Sequence, residues 1–380
     1  MYRHQHENDT VLPVFTQPLS PNGGESCSHL PEELIIEILL RLPVKSLLQL
    51  KCICKLWKTL ISNPQFVKQH LLISNAKPSL THQRLFFSFM TDPRQLLSYP
   101  LKPLFQNLLP PVSSSGTMKY WIIGSCNGLL CLYGQSRHCF KLHNPSIMFK
   151  SKKSPSAASL DWISNQYGFG YDQVNDKYKV LLVVRNMNDP TQTLTKVYTF
   201  GDDSWKTIQN FHLTPIRPSG QFVSGTLNWI VKKRGAGSNQ SMILSFDLEK
   251  ETYKEILVPQ DDADKVYGDT LYVLNNCLGV CYETNQTHWV AWLMKEYGVF
   301  DSWTKFITIP LDKFNKPLCF LIPLFISENC VVLLVNKYNS HFILFNLNSG
   351  ELDYSWDYFI KSVFNFRRNL HICSESLVSL

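Results

Sequence analysis

Three groups of residues have types and spacings that could do chemistry. Gly-Ser-Cys-Asn-Gly at 124–128 fits the G-x-C-x-G pattern of a nucleophile elbow, with Cys126 attacking an acyl carbon. An elbow needs a strand before the nucleophile and a helix after it. Here Tyr-Trp-Ile-Ile precedes Asn127-Gly128 and Leu-Leu-Cys-Leu-Tyr-Gly follows, which predicts a type I′ hairpin turn between two strands instead. Cys126, Cys131, Cys139 and His143 could ligate a metal, but they lack the close C-x₂₋₄-C pairs of structural zinc. Cysteines alternating into a β core explain them better, as they do the pairs Cys52/Cys54 and Cys277/Cys281. Gly168 and Gly170 lack the third glycine of a dinucleotide loop and run into a strand. There is no Ser-His-Asp set, paired carboxylate motif or phosphate loop. The reading is a chain without covalent chemistry, cofactor or metal.

One further group is a run of charge. Lys45, Lys51, Lys55, Lys58 and Lys68 occur with no acidic residue between 38 and 70. A solvated helix face and attraction to an acidic partner both fit. Nucleic acid does not, because no base-stacking aromatics accompany the lysines, and a net charge of +7 over 380 residues is only mildly basic.

These residues sit on two kinds of element. From about residue 80 to 360, short runs rich in Val, Ile, Tyr, Trp and Phe alternate with turn residues. A weak repeat runs through them. Apolar runs beside a Gly or Asn-Gly start at 124, 167, 222, 277 and 326, and each is followed by a second run, at 140, 196, 243, 297 and 342. The spacing, roughly 40 to 57 residues, is that of a β-propeller blade. Five units are visible. A sixth can be assembled from 84–89 and 352–359, which would join the two ends of the domain.

Residues 30–72 read as helical. Pro31 suits a first helical position, and Glu32 and Glu33 suit the first turn. Stepping 100° per residue, Leu34, Ile35, Ile36, Ile38, Leu39, Leu40 and Leu42 cover about 240° of arc. Pro43 ends that helix. A second, about 44–53, and a third, about 54–62, continue the pattern, and 17 of the 32 residues from Leu30 to Ile61 are large aliphatics or Trp. Three short helices cannot bury that much among themselves. The surplus predicts a partner surface.

The stretch 30–71, with Leu30-Pro31, EILLRLP at 37–43, CKLW at 54–57 and ISNPQF at 61–66, resembles an F-box. GSCNGLLCL (124–132), LHNPS (142–146), YGFGYD (167–172), KYKVLLVV (177–184), SGTLNW (224–229) and FDLEKETY (246–253) resemble the F-box associated, kelch-like domain of plant F-box proteins, although kelch Gly-Gly doublets are missing. The resemblance implies docking on a Skp-family adaptor of an SCF ubiquitin ligase, with cullin and RING subunits beyond it and a protein target on the β domain. Adaptor-facing residues carried over are Leu30, Pro31, Ile38, Leu39, Leu42, Pro43, Leu47, Leu50, Cys54, Trp57 and Leu60. Sequence does not divide them between adaptor and helical core.

The fold expected is α+β and multidomain: a disordered leader (1–28), a three-helix F-box (29–72), a polar linker (73–83), a kelch-like propeller of about six blades (84–365) and a C-terminal tail (366–380). The function expected is target recognition for ubiquitination and proteasomal degradation. The alternatives are a sugar-binding or enzymatic propeller with a helical cap, or a regulator with no degraded target. The start of the chain lacks the apolar core of a signal peptide, and no run reaches the roughly 18 apolar residues of a membrane span. Cytoplasm or nucleus is the compartment expected. The eleven cysteines would then be free thiols, and the sequons at Asn239 and Asn285 unused.

Overall fold

The computed structural model describes residues 31–76, 79–88, 94–106, 113–118, 120–134, 138–158, 161–189, 191–211, 213–235, 238–259, 266–284, 287–314, 321–336, 341–355 and 370–380. The leader, Leu30, Asn285 and residues 356–369 lie outside them. The chain divides into two compact units, one ending at Leu39 and one spanning Leu40–Leu380.

The first unit contributes helix α1 (Glu32–Leu40), whose first turn carries Glu32 and Glu33. The second opens with α2 (Val44–Leu50), α3 (Lys55–Ser62) and α4 (Pro64–Ala76). Pro43 stands at the N-cap of α2, and the Cys54 thiol caps α3 by accepting from the Trp57 amide at 3.5 Å. α4 follows the three expected helices. It continues through 73–76, where a polar linker was expected, and a single 3-10 turn at Leu80–His82 leads into the first strand. No helix among the described residues is long and apolar enough to cross a membrane.

The rest is six four-stranded antiparallel sheets. The first blade holds β1 (Gln83–Ser88), β2 (Arg94–Pro100) and, after the short helix α5 (Leu101–Phe105), β3 (Ser113–Met118). The second is β4 (Trp121–Cys126), β5 (Leu129–Gly134), β6 (Cys139–Asn144) and β7 (Phe149–Lys150). The third is β8 (Trp162–Asp172), β9 (Lys177–Asn186), β10 (Thr193–Thr199) and β11 (Lys206–Ile208). The fourth is β12 (Gln221–Val223), β13 (Thr226–Gly235), β14 (Ser238–Asp247) and β15 (Tyr253–Leu257). The fifth is β16 (Val266–Leu274), β17 (Cys277–Thr284), β18 (His288–Met294) and β19 (Trp303–Pro310). The sixth is β20 (Leu321–Ile326), β21 (Val331–Asn336), β22 (His341–Asn346) and β23 (Leu352–Ser355).

The ring closes differently from the sequence expectation. β23, which includes the start of 352–359, is the outer strand of blade six. The closing strand is β24 (Leu370–Ser374), from the segment expected to be a tail; it pairs antiparallel with β1, Gln83 opposite Ser374. Cys373 then completes a cluster of Phe86, Leu96, Ile122, Leu130 and Leu132 between blades one and two. The following residues are also built in. Asn144, fully buried at the end of β6, donates to the Ser376 carbonyl at 3.0 Å, the Ser376 hydroxyl at 3.0 Å and the Val378 carbonyl at 2.9 Å.

Inner strands of the blades bury both faces, against the blade before and the blade after, while outer strands such as β11 and β15 stay largely exposed. Every residue of β5 is buried. The first turn of blade two is the expected hairpin: Asn127 and Gly128 have φ of 54° and 77°. Ser224-Gly225 and Asn275-Asn276 repeat it in blades four and five. Gly168 and Gly170 serve packing. A Cβ on Gly170 would lie 2.3 Å from the Phe222 ring, where blade four closes on blade three.

Candidate docking surface on the N-terminal helices

The helices divide their apolar residues between an inside and an outside. Leu39, Leu47 and Ile61 are buried, and so are Val44, Phe66 and His70. On the outside, α1 exposes Leu34 and Ile38, the latter 51% exposed. In the second unit Ile53 is 66% exposed, on the turn before α3, and Leu56, in its first turn, is 60% exposed. Isolated exposed aliphatics are ordinary. Ile53 and Leu56 are three residues apart in the chain, and both lie outside the buried set of Leu47 and Ile61.

Of the carried-over residues, Pro31, Ile38 and Cys54 are exposed, and Leu42, Pro43, Leu50, Trp57 and Leu60 are half-buried. Leu39 and Leu47 offer no surface, since both are packed inside the chain. Leu34, Ile53 and Leu56 were not among the adaptor-facing residues that the resemblance implied. A helical wheel ranks all the leucines alike, and only the burial of Leu39, Leu47 and Ile61 shows which of the apolar residues are left open.

The lysine run divides as well. Lys45, Lys55 and Lys58 are exposed. Lys51 is half-buried, and burial, reinforced by the nearby Lys58 charge, lowers its pKa. Lys68 is engaged within the chain by Asp176.

The chemistry weighed from sequence lies elsewhere and is structural in form. Cys126, Cys131 and Cys139 are buried in the blades, and burial pushes the Cys126 and Cys131 thiols far up. His143 lies with its Nδ1 2.8 Å from the Phe149 carbonyl, and its pKa is lowered mainly by burial. Among the described residues, no three His, Cys, Asp or Glu side chains gather as a metal would require.

Short helices that leave apolar side chains exposed thus precede a six-bladed propeller. Comparison with known proteins gives the family. The F-box domain model matches residues 27–69, and the F-box associated beta propeller domain model matches residues 70–353. This chain belongs to the F-box proteins with an F-box associated beta propeller. It is 32% identical over 340 residues to an F-box/kelch-repeat protein of Arabidopsis thaliana, covering 86% of this chain and 90% of the relative. It is 28% identical over 352 residues to the F-box protein CPR1 of Arabidopsis thaliana, covering 85% and 83%. A chain from the nidogen/laminin complex matches with a TM-score of 0.45 at 10% identity, over 77% of this chain and 99% of that one, a likeness too slight to support an argument.

Proposed function

We propose that this chain is the target receptor of an SCF-type ubiquitin-protein ligase. The F-box helices dock on a Skp-family adaptor, which links to cullin and RING subunits, and the propeller holds a protein destined for ubiquitination and proteasomal degradation. The receptor is non-catalytic: its contribution is to raise the effective concentration of a target lysine near the charged conjugating enzyme. The observation that carries this reading is the F-box match over 27–69, on helices that leave Leu34, Ile38, Ile53 and Leu56 at the surface. Fully burying such a side chain is worth about 1.5–3 kcal/mol, so a few of them can dominate an interface. Work in the cytoplasm or nucleus accords with the nine described cysteines, all free thiols.

The test is capture by a purified recombinant Skp-family adaptor. Ile38→Asp and Leu56→Asp should each weaken capture by about two orders of magnitude, the scale set by losing one buried aliphatic and burying a carboxylate. The thermal unfolding of the propeller should not move. Undiminished capture by both variants would refute the reading.

A further inference from the structure

The boundary between the two family matches falls at residues 69–70, inside α4. The helix runs unbroken across it. On one side α4 is locked to the docking helices. Asn63 alone separates it from α3, its side-chain oxygen accepting from the Gln65 amide at 2.8 Å and its carbonyl from the Val67 amide at 3.0 Å. His70, buried and stacked on Phe66, lies with its Nε2 2.9 Å from the Leu42 carbonyl just before α2.

On the other side α4 meets the propeller. Val67 and Leu71, one turn apart, pack against the cluster between blades two and three that contains Cys126, Phe169, Tyr178 and Val378. Between them Lys68 reaches Asp176 at 2.5 Å, and the other Asp176 oxygen accepts from the Tyr171 hydroxyl. Asp176 stands at φ 53° in the turn joining β8 to β9. That turn is itself held. Asp172 accepts from the Val174 and Asn175 amides at 3.2 and 3.1 Å and pairs with buried Lys179 at 3.0 Å. Lys179 also donates to the Leu248 carbonyl at 2.6 Å and lies 3.4 Å from Glu251 in blade four. The partner of Lys68 is therefore fixed by a network that spans two blades.

We propose that α4 is a positioning strut, in which Val67 and Leu71 hold the docking helices α2 and α3 against the propeller and the Lys68–Asp176 pair sets their register. An exposed ion pair adds little affinity, but it selects which turn of α4 faces the blades. For its consequence the proposal rests on the ubiquitin-ligase reading: transfer depends on the angle at which a target is presented, and a strut without a flexible joint keeps that angle. Its geometry is independent of that reading.

The experiment uses the full chain and the variants Lys68→Glu, Asp176→Lys, the two combined, and Leu71→Ser. Amide hydrogen exchange in α4 should quicken about threefold in each single charge reversal and return toward wild type in the double variant. In Leu71→Ser it should quicken roughly tenfold, as half-buried apolar contact is lost. Capture by a recombinant Skp-family adaptor should stay within about twofold, since Leu34, Ile38, Ile53 and Leu56 are untouched. Self-ubiquitination in a reconstituted ligase should fall in the single reversals and recover in the double. Unchanged α4 exchange in all variants would overturn the strut, and so would transfer that persists when exchange has risen. Wild-type protein that failed to capture any adaptor would overturn the ligase reading instead, and the exchange results alone would then decide the strut.

Discussion

Asn144→Leu should cost the propeller a large part of its stability, although the side chain it replaces is of similar size and uncharged. The Asn144 amide nitrogen donates to the carbonyls of Ser376 and Val378, and its oxygen accepts from the Ser146 amide at 2.9 Å. The site is closed to water: Asn144 is 0% and Ser376 1% exposed. Leucine leaves two carbonyls and one amide without partners. At about 1–3 kcal/mol for each buried group left unmade, and with some relaxation, the loss is about 3–6 kcal/mol. Total stability of a domain is about 5–15 kcal/mol. For a propeller of this length the loss corresponds to a fall in Tm on the order of 10 °C. Thermal unfolding followed by circular dichroism measures it directly, with Gln173→Leu, on an exposed turn, as the comparison expected within about 0.5 kcal/mol of wild type. A Tm for Asn144→Leu within about 2 °C of wild type would show that the last residues are not fastened by this side chain.

Three other outcomes can be checked. Lys179→Met should destabilise by about 3–5 kcal/mol, because it strands the buried Asp172 carboxylate without a cation; adding Asp172→Asn should recover part of that loss, and a silent single variant would refute the argument. Burial lowers the pKa of His70, His138 and His143. The unfolded chain therefore takes up protons near pH 6.5 that the folded chain refuses. Stability is complete above that pH and declines as pH falls below it, by about 1.4 kcal/mol per pH unit for each such group; urea midpoints that coincide at pH 7.5 and 5.5 would contradict this. Maleimide should label the exposed Cys52 and Cys54 first and Cys126, Cys131 and Cys373 last, burial having raised the Cys373 thiol to about 12; protected pairs in denatured, unreduced protein would mean disulfides instead.

Local signals carried the repeating part of this fold. Asn127-Gly128 between apolar runs marks a hairpin in any context, and similar punctuation recurs through the blades, so their period and five of the six units could be read from sequence. The closure could not. β24 is five residues, LHICS, with no turn signal beside it, whereas the more aromatic 352–359 looked the better strand. The choice is made by Gln83 and by the Cys373 cluster, both distant in sequence. The apolar surplus of the N-terminal helices was legible in leucine and isoleucine, but which residues stay exposed was not, since Leu47 and Leu56 look alike in sequence while Leu47 is buried and Leu56 exposed. LHNPS could be recognised as a landmark, yet what Asn144 grips lies 232 residues away. The Lys68–Asp176 pair, separated by 108 residues, left no trace in composition or period.

The strand that closes the ring, β24, pairs with the first strand of the propeller, β1. Gln83 Nε2 donates to Ser374 Oγ at 2.7 Å across 291 residues, so blade one stands with an open edge until the chain through β24 has been made. During that interval β1 offers unpaired backbone to any neighbour, the usual template for misassembly. A chain cut short before Leu370 would give a first blade lacking its β24 strand. Such a product would expose the apolar faces that chaperones and proteases recognise. Only a chain that extends through β24 can cover the β1 edge and complete the Cys373 cluster.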